Sequence, residues 1–390
     1  MSYVLRDYQQ KASNAAVSFF ANRAKKNNAI MVLPTGAGKS LVITDIASRL
    51  EGHTLVFQPS KEILEQNYLK LCSYGILDCS IYSASFGRKE ISRITFATIG
   101  SVVNHPELFQ HFRNIIIDEC HLVNPKEGMY KSFLSMLKCK VLGLTATPYR
   151  LSSSRDFGSM LKFITRTRPC VFSEVIYQVQ ISTLLDMGYL SKLNYYEMNP
   201  LGWNELNLKV NTTGADYTDK SVVKEYERID FYGFLVSIVQ RLMNPKSGVK
   251  RKGILVFTRF LKEAERLTWS IPGTAIVSGE TPKKERERIL EAFKAGEIPV
   301  VANVGVLTTG FDYPELDTIV MARPTMSLAL WYQIVGRAIR PHPSKEAGWI
   351  VDLCGNKKRF GEVKDLRLVD GGNGKWAVYS NNRQLTNVRF

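Results

Sequence analysis

None of the six cysteines (Cys72, Cys79, Cys120, Cys139, Cys170 and Cys354) belongs to a CxxC pair or has a histidine at metal-ligand spacing, which argues against both a zinc module and a disulfide framework. Histidine is as sparse: His53, His105, His111, His121 and His342 are scattered, so a histidine-built metal centre is not expected. No apolar run reaches the roughly 20 residues that a membrane-spanning helix needs, and the opening MSYVLRDYQQ has neither the n-region nor the h-region of a signal peptide. A cytoplasmic protein with no membrane partner is expected. Fixed-period repeats and low-complexity tracts are missing too. Negative charge also runs short: 36 acidic residues face 52 lysines and arginines, giving a formal net charge of +16 and a pI near 9.5. Such a balance attracts polyanions, nucleic acid foremost, through phosphate neutralisation and counterion release.

At 390 residues the chain exceeds what one hydrophobic core usually organises, so two domains are expected. From Arg6 to about Tyr149 the runs IMVLP, TLVFQP, RITFAT, NIIIDE and KVLGLTATP alternate with helix-like stretches. Apolar at nearly every position, they read as strands of a parallel sheet covered on both faces. The same grammar restarts after about residue 250 with GILVFT, GTAIVS, IPVVAN, TIVMARP and GWIVDL. The fold class is therefore α/β, with two tandem domains at residues 1–165 and 166–365. SSSRDFGS at 152–159 reads as an exposed loop and hinge, and 194–245 as an irregular insertion whose strands are not placed. The tail, 366–390, holds the turn DGGNG and permits a small hairpin packed on the second domain.

The chemistry concentrates at strand ends. PTGAGKS at 34–40 follows the strand IMVL and precedes the apolar-periodic LVITDIASRL, the context that a phosphate cradle requires. Thr35, Gly36, Ala37 and Gly38 let backbone N–H groups approach phosphate at a helix N-terminus. Lys39 brings charge to the β/γ oxygens of ATP, and Ser40 offers Mg²⁺ a hydroxyl. The general pattern wants glycine where Leu33 stands. Further on, NIIIDECH ends a buried strand with Asp118 and Glu119, one carboxylate to hold Mg²⁺ and the next to orient or deprotonate the attacking water. In QIVGRAIR at 333–340 a helix would set Arg337 and Arg340 on one face, where an arginine can stabilise charge on the transferring phosphoryl group. VLTTGFD at 306–312 adds a loop carrying Gly310 and Asp312.

Taken in order, these segments resemble the superfamily-two helicases of the DEAD/DEAH-like class. LRDYQQ (5–10) matches their adenine-recognition motif, PTGAGKS, DECH and TAT (145–147) match motifs I to III, and FTR (257–259), VLTTGFD and QIVGRAIR match IV to VI. The resemblance covers about Leu5 to Asp352 and implies two RecA-like domains with an ATP cleft between them. It implies base recognition by Gln9 with Arg6 beside it, further nucleotide contacts at Gly310 and Asp312, and coupling through His121, Thr145, Thr147 and Gln333. It also implies phosphate contacts to nucleic acid at Pro59, Ser60, Lys61 and Thr98 in the first domain and Arg259, Ser278 and Thr308 in the second. Phosphate contacts carry little sequence information, so binding should be largely sequence-independent. Ser60 suits a helix N-cap equally well.

Within the superfamily, LPTGAGKSLVI, DECH, LGLTATPYRL, VLTTGFD and QIVGR are most similar to bacterial RadD-type DNA-repair ATPases, whose cysteine-rich C-terminal region has no counterpart up to Phe390. That likeness favours DNA over RNA and implies an ATP- and Mg²⁺-dependent motor in repair or replication restart. DECH differs from the DEAD signature of RNA-unwinding relatives. A duplex translocase that separates no strands, an RNA helicase and a non-hydrolysing adaptor are the alternatives. Tyr195, Tyr196, Trp203, Tyr217, Phe231 and Tyr232 cluster in the irregular region, as satellite core or as a base-stacking surface.

Overall fold

The computed structural model describes residues 3–388 except 155–157, 198–205, 213–214, 246–247, 249–250, 252 and 309–310. It divides into two compact units, one of residues 1–150, 161–181 and 367–379, the other of 151–160, 182–366 and 380–390.

The first half supplies β1 (Ala29–Val32), β2 (Thr54–Phe57), β3 (Cys79–Ser83), β4 (Arg88–Lys89), β5 (Ile94–Ala97), β6 (Asn114–Asp118) and β7 (Lys140–Thr145), then β8 (Tyr149–Ser154), β9 (Gly158–Phe163) and β10 (Glu174–Gln178). Eight of them form one sheet in the order β10-β1-β7-β6-β2-β5-β3-β4. It is parallel except where β4 turns back on β3. β1, β2, β5 and β6 are buried at every position, as expected of AIMV, TLVF, ITFA and NIIID under helices on both faces. Helix Lys39–Arg49 lays Val42, Ile43, Ile46 and Ala47 on the sheet, and helix Lys61–Ser73 adds Leu64 and Leu71.

The second half supplies β11 (Lys192–Glu197), β12 (Ile254–Thr258), β13 (Thr274–Ser278), β14 (Val300–Val304), β15 (Thr318–Ala322) and β16 (Ala347–Asp352). They form a wholly parallel sheet in the order β11-β16-β15-β12-β14-β13. Tyr226, Phe231, Leu235 and Ile238, from helices Asp219–Arg228 and Phe231–Met243, pack over Val256, Ala302, Val320 and Val351. The valines, Leu235, Ile238 and Phe231 each contribute about 1.5–3 kcal/mol on full burial.

Three expectations about organisation are corrected. Residues flanking 155–157 are not loop: β8 and β9 pair as a two-stranded sheet. The irregular stretch contains β11 and two helices; in FYGFLVSIVQRLM the buried Phe231, Leu235, Ile238, Val239 and Leu242 recur at helical spacing opposite Gly233, Ser237, Gln240 and Arg241. The tail does form strands, β17 (Leu366–Asp370), β18 (Trp376–Ser380) and β19 (Arg383–Gln384), in one small sheet. However, residues 367–379 group with the first unit rather than the second. Gln180 explains this: its Nε2 donates to the Leu368 carbonyl at 2.8 Å and its Oε1 accepts the Leu368 N–H at 3.0 Å.

Candidate active site

Because the strands that carry the predicted residues of the first unit run in one direction, those residues collect along one edge of the sheet. Val32 pairs with Thr145, Asp118 with Leu144 and Phe57 with Ile117, so the segments after β1, β7, β6 and β2 open side by side at the carboxyl edge. Ligands of open parallel sheets bind at that edge.

Leu33–Gly38 bridges β1 and helix Lys39–Arg49, with Gly36 at φ 83° and Gly38 at φ 76°. These left-handed conformations favour glycine, and at Gly38 space forbids anything larger: a Cβ would lie 2.5 Å from Gln9 Nε2. Gln9 braces the loop, its Nε2 donating to the Ala37 carbonyl at 2.9 Å and its Oε1 accepting the Arg6 N–H at 3.0 Å. Tyr8, which sequence reasoning passed over, donates its hydroxyl to the same Ala37 carbonyl at 2.9 Å. Thr35 is buried in the loop, and Lys39 and Ser40 open the helix.

Lys39 Nζ lies 3.2 Å from Glu119 Oε1. Asp118 accepts the Glu119 N–H at 2.9 Å. Glu119 sits at φ 49°, a left-handed conformation that strains a non-glycine residue and gathers at functional sites. Burial, reinforced by the charge of Glu119, raises the Asp118 carboxyl. Burial pushes Glu119 up as well, but the Lys39 ammonium and His121 outweigh it and hold that carboxyl low. Glu119 therefore stays ionised, as a water-orienting base must. His121 Nδ1 lies 3.3 Å from Glu119 Oε2 and 2.9 Å from Thr145 Oγ1, which also accepts the Thr147 N–H at 2.9 Å. The structure thus joins Glu119, His121, Thr145 and Thr147 in one relay. Among the described residues no three His, Cys, Asp or Glu side chains converge to hold a metal unaided. Asp118 and the Ser40 hydroxyl, as hard oxygen donors, fit a Mg²⁺ ion that arrives with phosphate and water ligands.

Pro59, Ser60 and Lys61 follow β2 and Thr98 follows β5, all half-buried. Ser60 Oγ caps helix Lys61–Ser73 by accepting the Ile63 N–H at 3.3 Å. Lys61 donates to the Ser85 carbonyl at 2.7 Å and lies 4.2 Å over the Phe86 ring, while Thr98 Oγ1 is 3.0 Å from Ser101 Oγ.

In the second unit the carboxyl edge gathers Arg259, Ser278 and the segment after β14. Arg259, expected to touch nucleic acid, has internal partners here: it pairs with Asp216 at 3.1 Å and Asp219 at 2.8 Å and donates to the Tyr217 carbonyl at 2.6 Å. The sequence hides this because the acidic partners lie about 40 residues upstream in the irregular region. Ser278 Oγ accepts the Glu280 N–H at 3.2 Å, and the Thr308 N–H donates to the Val306 carbonyl at 2.8 Å. Gly310 lies outside the described residues. The helix expected to carry both arginines ends early: it spans Leu328–Val335, and Gly336 caps it. Arg337 and Arg340 stand in the turn beyond, and both still reach the Phe311 carbonyl, at 2.8 and 3.4 Å. Arg340 also pairs with Asp312, and Arg337 donates to the Gln333 carbonyl at 3.3 Å. Of the six clustered aromatics, Tyr217 and Phe231 are core, and Tyr195 packs on Trp331 at 6.4 Å. Tyr232 packs against that core and Tyr196 stacks on Trp349 at 5.1 Å, while Trp203 lies outside the described residues.

Comparison with known proteins gives two family matches: the type III restriction enzyme res subunit over residues 2–150 and the helicase conserved C-terminal domain over 235–342. Among relatives, the candidate ATP-dependent helicase IRC3 of Saccharomyces cerevisiae is 24% identical over 90% of this chain and 52% of its own length. The DNA 3'-5' translocase XPB2 of Sulfurisphaera tokodaii is 27% identical over 86% of this chain and 78% of its own. A 51.5 kDa protein of a Lactococcus phage is 24% identical over 80% of this chain and 63% of its own. The chain spans less than two thirds of the length of IRC3 and of the phage protein. In fold it is similar to the DNA-bound Type ISP restriction-modification enzyme LlaBIII (TM-score 0.67, 18% identity, 91% of this chain and 28% of that one). It is also similar to an HsdR subunit fragment from Vibrio vulnificus (TM-score 0.66, 21% identity, 92% of this chain and 66% of that one).

Proposed function

We propose that the chain, whose two halves match the res-subunit and helicase C-terminal family models, is a superfamily-two ATP-dependent DNA motor, a helicase or translocase driven by nucleic-acid-stimulated ATP hydrolysis. One observation carries the reading: Lys39 and Glu119 meet at 3.2 Å beside Asp118 at the carboxyl edge, the cation and carboxylates that phosphoryl transfer to water needs. Lys39 and the amides of the Gly36–Gly38 loop bind phosphate, Gln9 and Arg6 flank the base, and Glu119 orients the attacking water and takes its proton. Mg²⁺, when bound by Ser40 and Asp118, supplies charge neutralisation at the phosphate oxygens. His121, Thr145 and Thr147 pass the state of Glu119 to the neighbouring strand ends. Arg340 stabilises the developing charge during hydrolysis.

DNA is favoured over RNA by the RadD-type likeness and by relatives named as acting on DNA. A role in repair or replication restart rests on the same likeness. The test is steady-state ATP hydrolysis without nucleic acid and with single-stranded, duplex and forked DNA and RNA, with Glu119→Gln as blank. DNA stimulation that the variant lacks is expected, and turnover that no polymer changes would sink the reading. The translocase reading is favoured by the name of the Sulfurisphaera relative. Release of a triplex strand without unwinding of forked DNA would select it.

A further inference from the structure

Gln58 is the residue just past β2, and only 1% of it is exposed. Its backbone N–H continues the sheet by donating to the Ala97 carbonyl at 3.0 Å. Its carboxamide does not follow: neither Nε2 nor Oε1 has a hydrogen-bond partner among the described residues. A buried amide left unpaired is costly and calls for an explanation.

Register supplies one. Phe57 pairs with Ile117, so the next step along the two parallel strands sets Gln58 beside Asp118. Parallel neighbours share a face, and strands lie about 4.8 Å apart, within reach of a glutamine carboxamide. Phe57 turns to the other face, where its ring meets Tyr130 and Phe133. Asp118 has one partner on its Oδ1, the Glu119 N–H. A carboxylate that binds a metal directly or through water is itself normally held by a second hydrogen bond, which fixes its rotamer. β7 and its threonines flank β6 on the other side, so Gln58 occupies the flank of Asp118 that the relay leaves open.

We infer that Gln58 is the positioning residue for Asp118: its Nε2–H donates to the Asp118 carboxylate when Mg²⁺ and nucleotide are bound, and it lies idle without them. This rests on the ATPase reading above. It adds a residue that lies immediately before Pro59, Ser60 and Lys61, and so ties the metal carboxylate to the segment assigned to nucleic acid.

The experiment compares wild type with Gln58→Leu, close in volume and unable to hydrogen-bond. A fluorescent ATP analogue is titrated with and without Mg²⁺, and the ligand-free proteins are melted. Expected is an unchanged affinity without Mg²⁺ and a loss of about tenfold in the affinity gained by adding Mg²⁺. The ligand-free variant should melt no lower than wild type, because no hydrogen bond is lost. Combined with Asp118→Asn, which removes the group being positioned, Gln58→Leu should weaken Mg²⁺-dependent binding no further. An unchanged Mg²⁺ dependence, or additive losses in the double variant, overturns the assignment. A wild type that binds no nucleotide at all refutes the ATPase reading instead, which the same titration shows first.

Discussion

At the residue scale, the phosphate loop shows a conformation and a contact that enforce the same choice. Gly38 holds φ 76°, and its missing Cβ leaves room for Gln9 Nε2 2.5 Å away. Gln9 has little freedom to retreat, because both ends of its amide are engaged, on Ala37 and on Arg6. Gly38→Ala should therefore lower stability by about 1–2 kcal/mol from the left-handed backbone alone, and should displace Gln9 and weaken nucleotide affinity. Denaturant unfolding and nucleotide titration check this. Unchanged values for both would mean that the loop relaxes without strain and that its glycine is incidental. Most of this site was legible beforehand, because PTGAGKS and DECH fix their own surroundings through short-range geometry. Tyr8 and Gln58 were not: one is an aromatic among helix residues, the other a single polar residue closing an apolar run. Only partners distant in sequence give either a role.

At the element scale, strand ends were readable and helix ends were not. All-apolar runs announce buried parallel strands, whereas the end of helix Leu328–Val335 depends on Gly336 stopping it before Arg337. The two arginines meet at Phe311 by chain path and not by helical spacing. Arg259 shows the same limit, since the sequence places it at a strand end and gives no sign of Asp216 and Asp219 beside it. Helix Leu261–Ser270 hides a further feature. Its Glu263 accepts the Phe260 N–H at 3.2 Å as part of a capping box and is fully buried. Burial pushes its carboxyl up to about 7, the backbone donors offsetting only part of that. A carboxyl raised above its unfolded value of 4.5 favours folding below that pH, and the benefit is lost as pH rises through about 7. Glu263→Gln keeps the cap and removes the titration. Wild type should therefore lose roughly 3 kcal/mol more than the variant between pH 4.5 and pH 8. Denaturant melts at the two pH values measure the difference, and parallel curves would show that Glu263 stays ionised in the fold.

At the scale of the whole molecule, charge is the feature that single motifs do not account for. The excess of 52 basic over 36 acidic residues exceeds what the assigned contacts use, and several of those contacts are engaged within the fold. Long-range attraction therefore acts beside local grip. A motor that must move along its track gains from this arrangement, since phosphate contacts hold any sequence equally and release by exchange with counterions. Affinity for DNA should accordingly fall steeply with salt, log K declining linearly with log salt at a slope of about −0.7 to −0.9 per phosphate neutralised. If Lys61 neutralises a phosphate as proposed, Lys61→Ala should make that slope shallower by about one unit while weakening different sequences equally. Arg259→Ala, whose guanidinium is held by Asp216 and Asp219, should leave the slope unchanged. Fluorescence anisotropy with two unrelated oligonucleotides across a salt series separates these outcomes. A wild-type slope near zero would remove phosphate neutralisation from the account of binding. A change in slope for Arg259→Ala equal to that for Lys61→Ala would show that its ion pairs open on DNA and that Arg259 contacts phosphate after all.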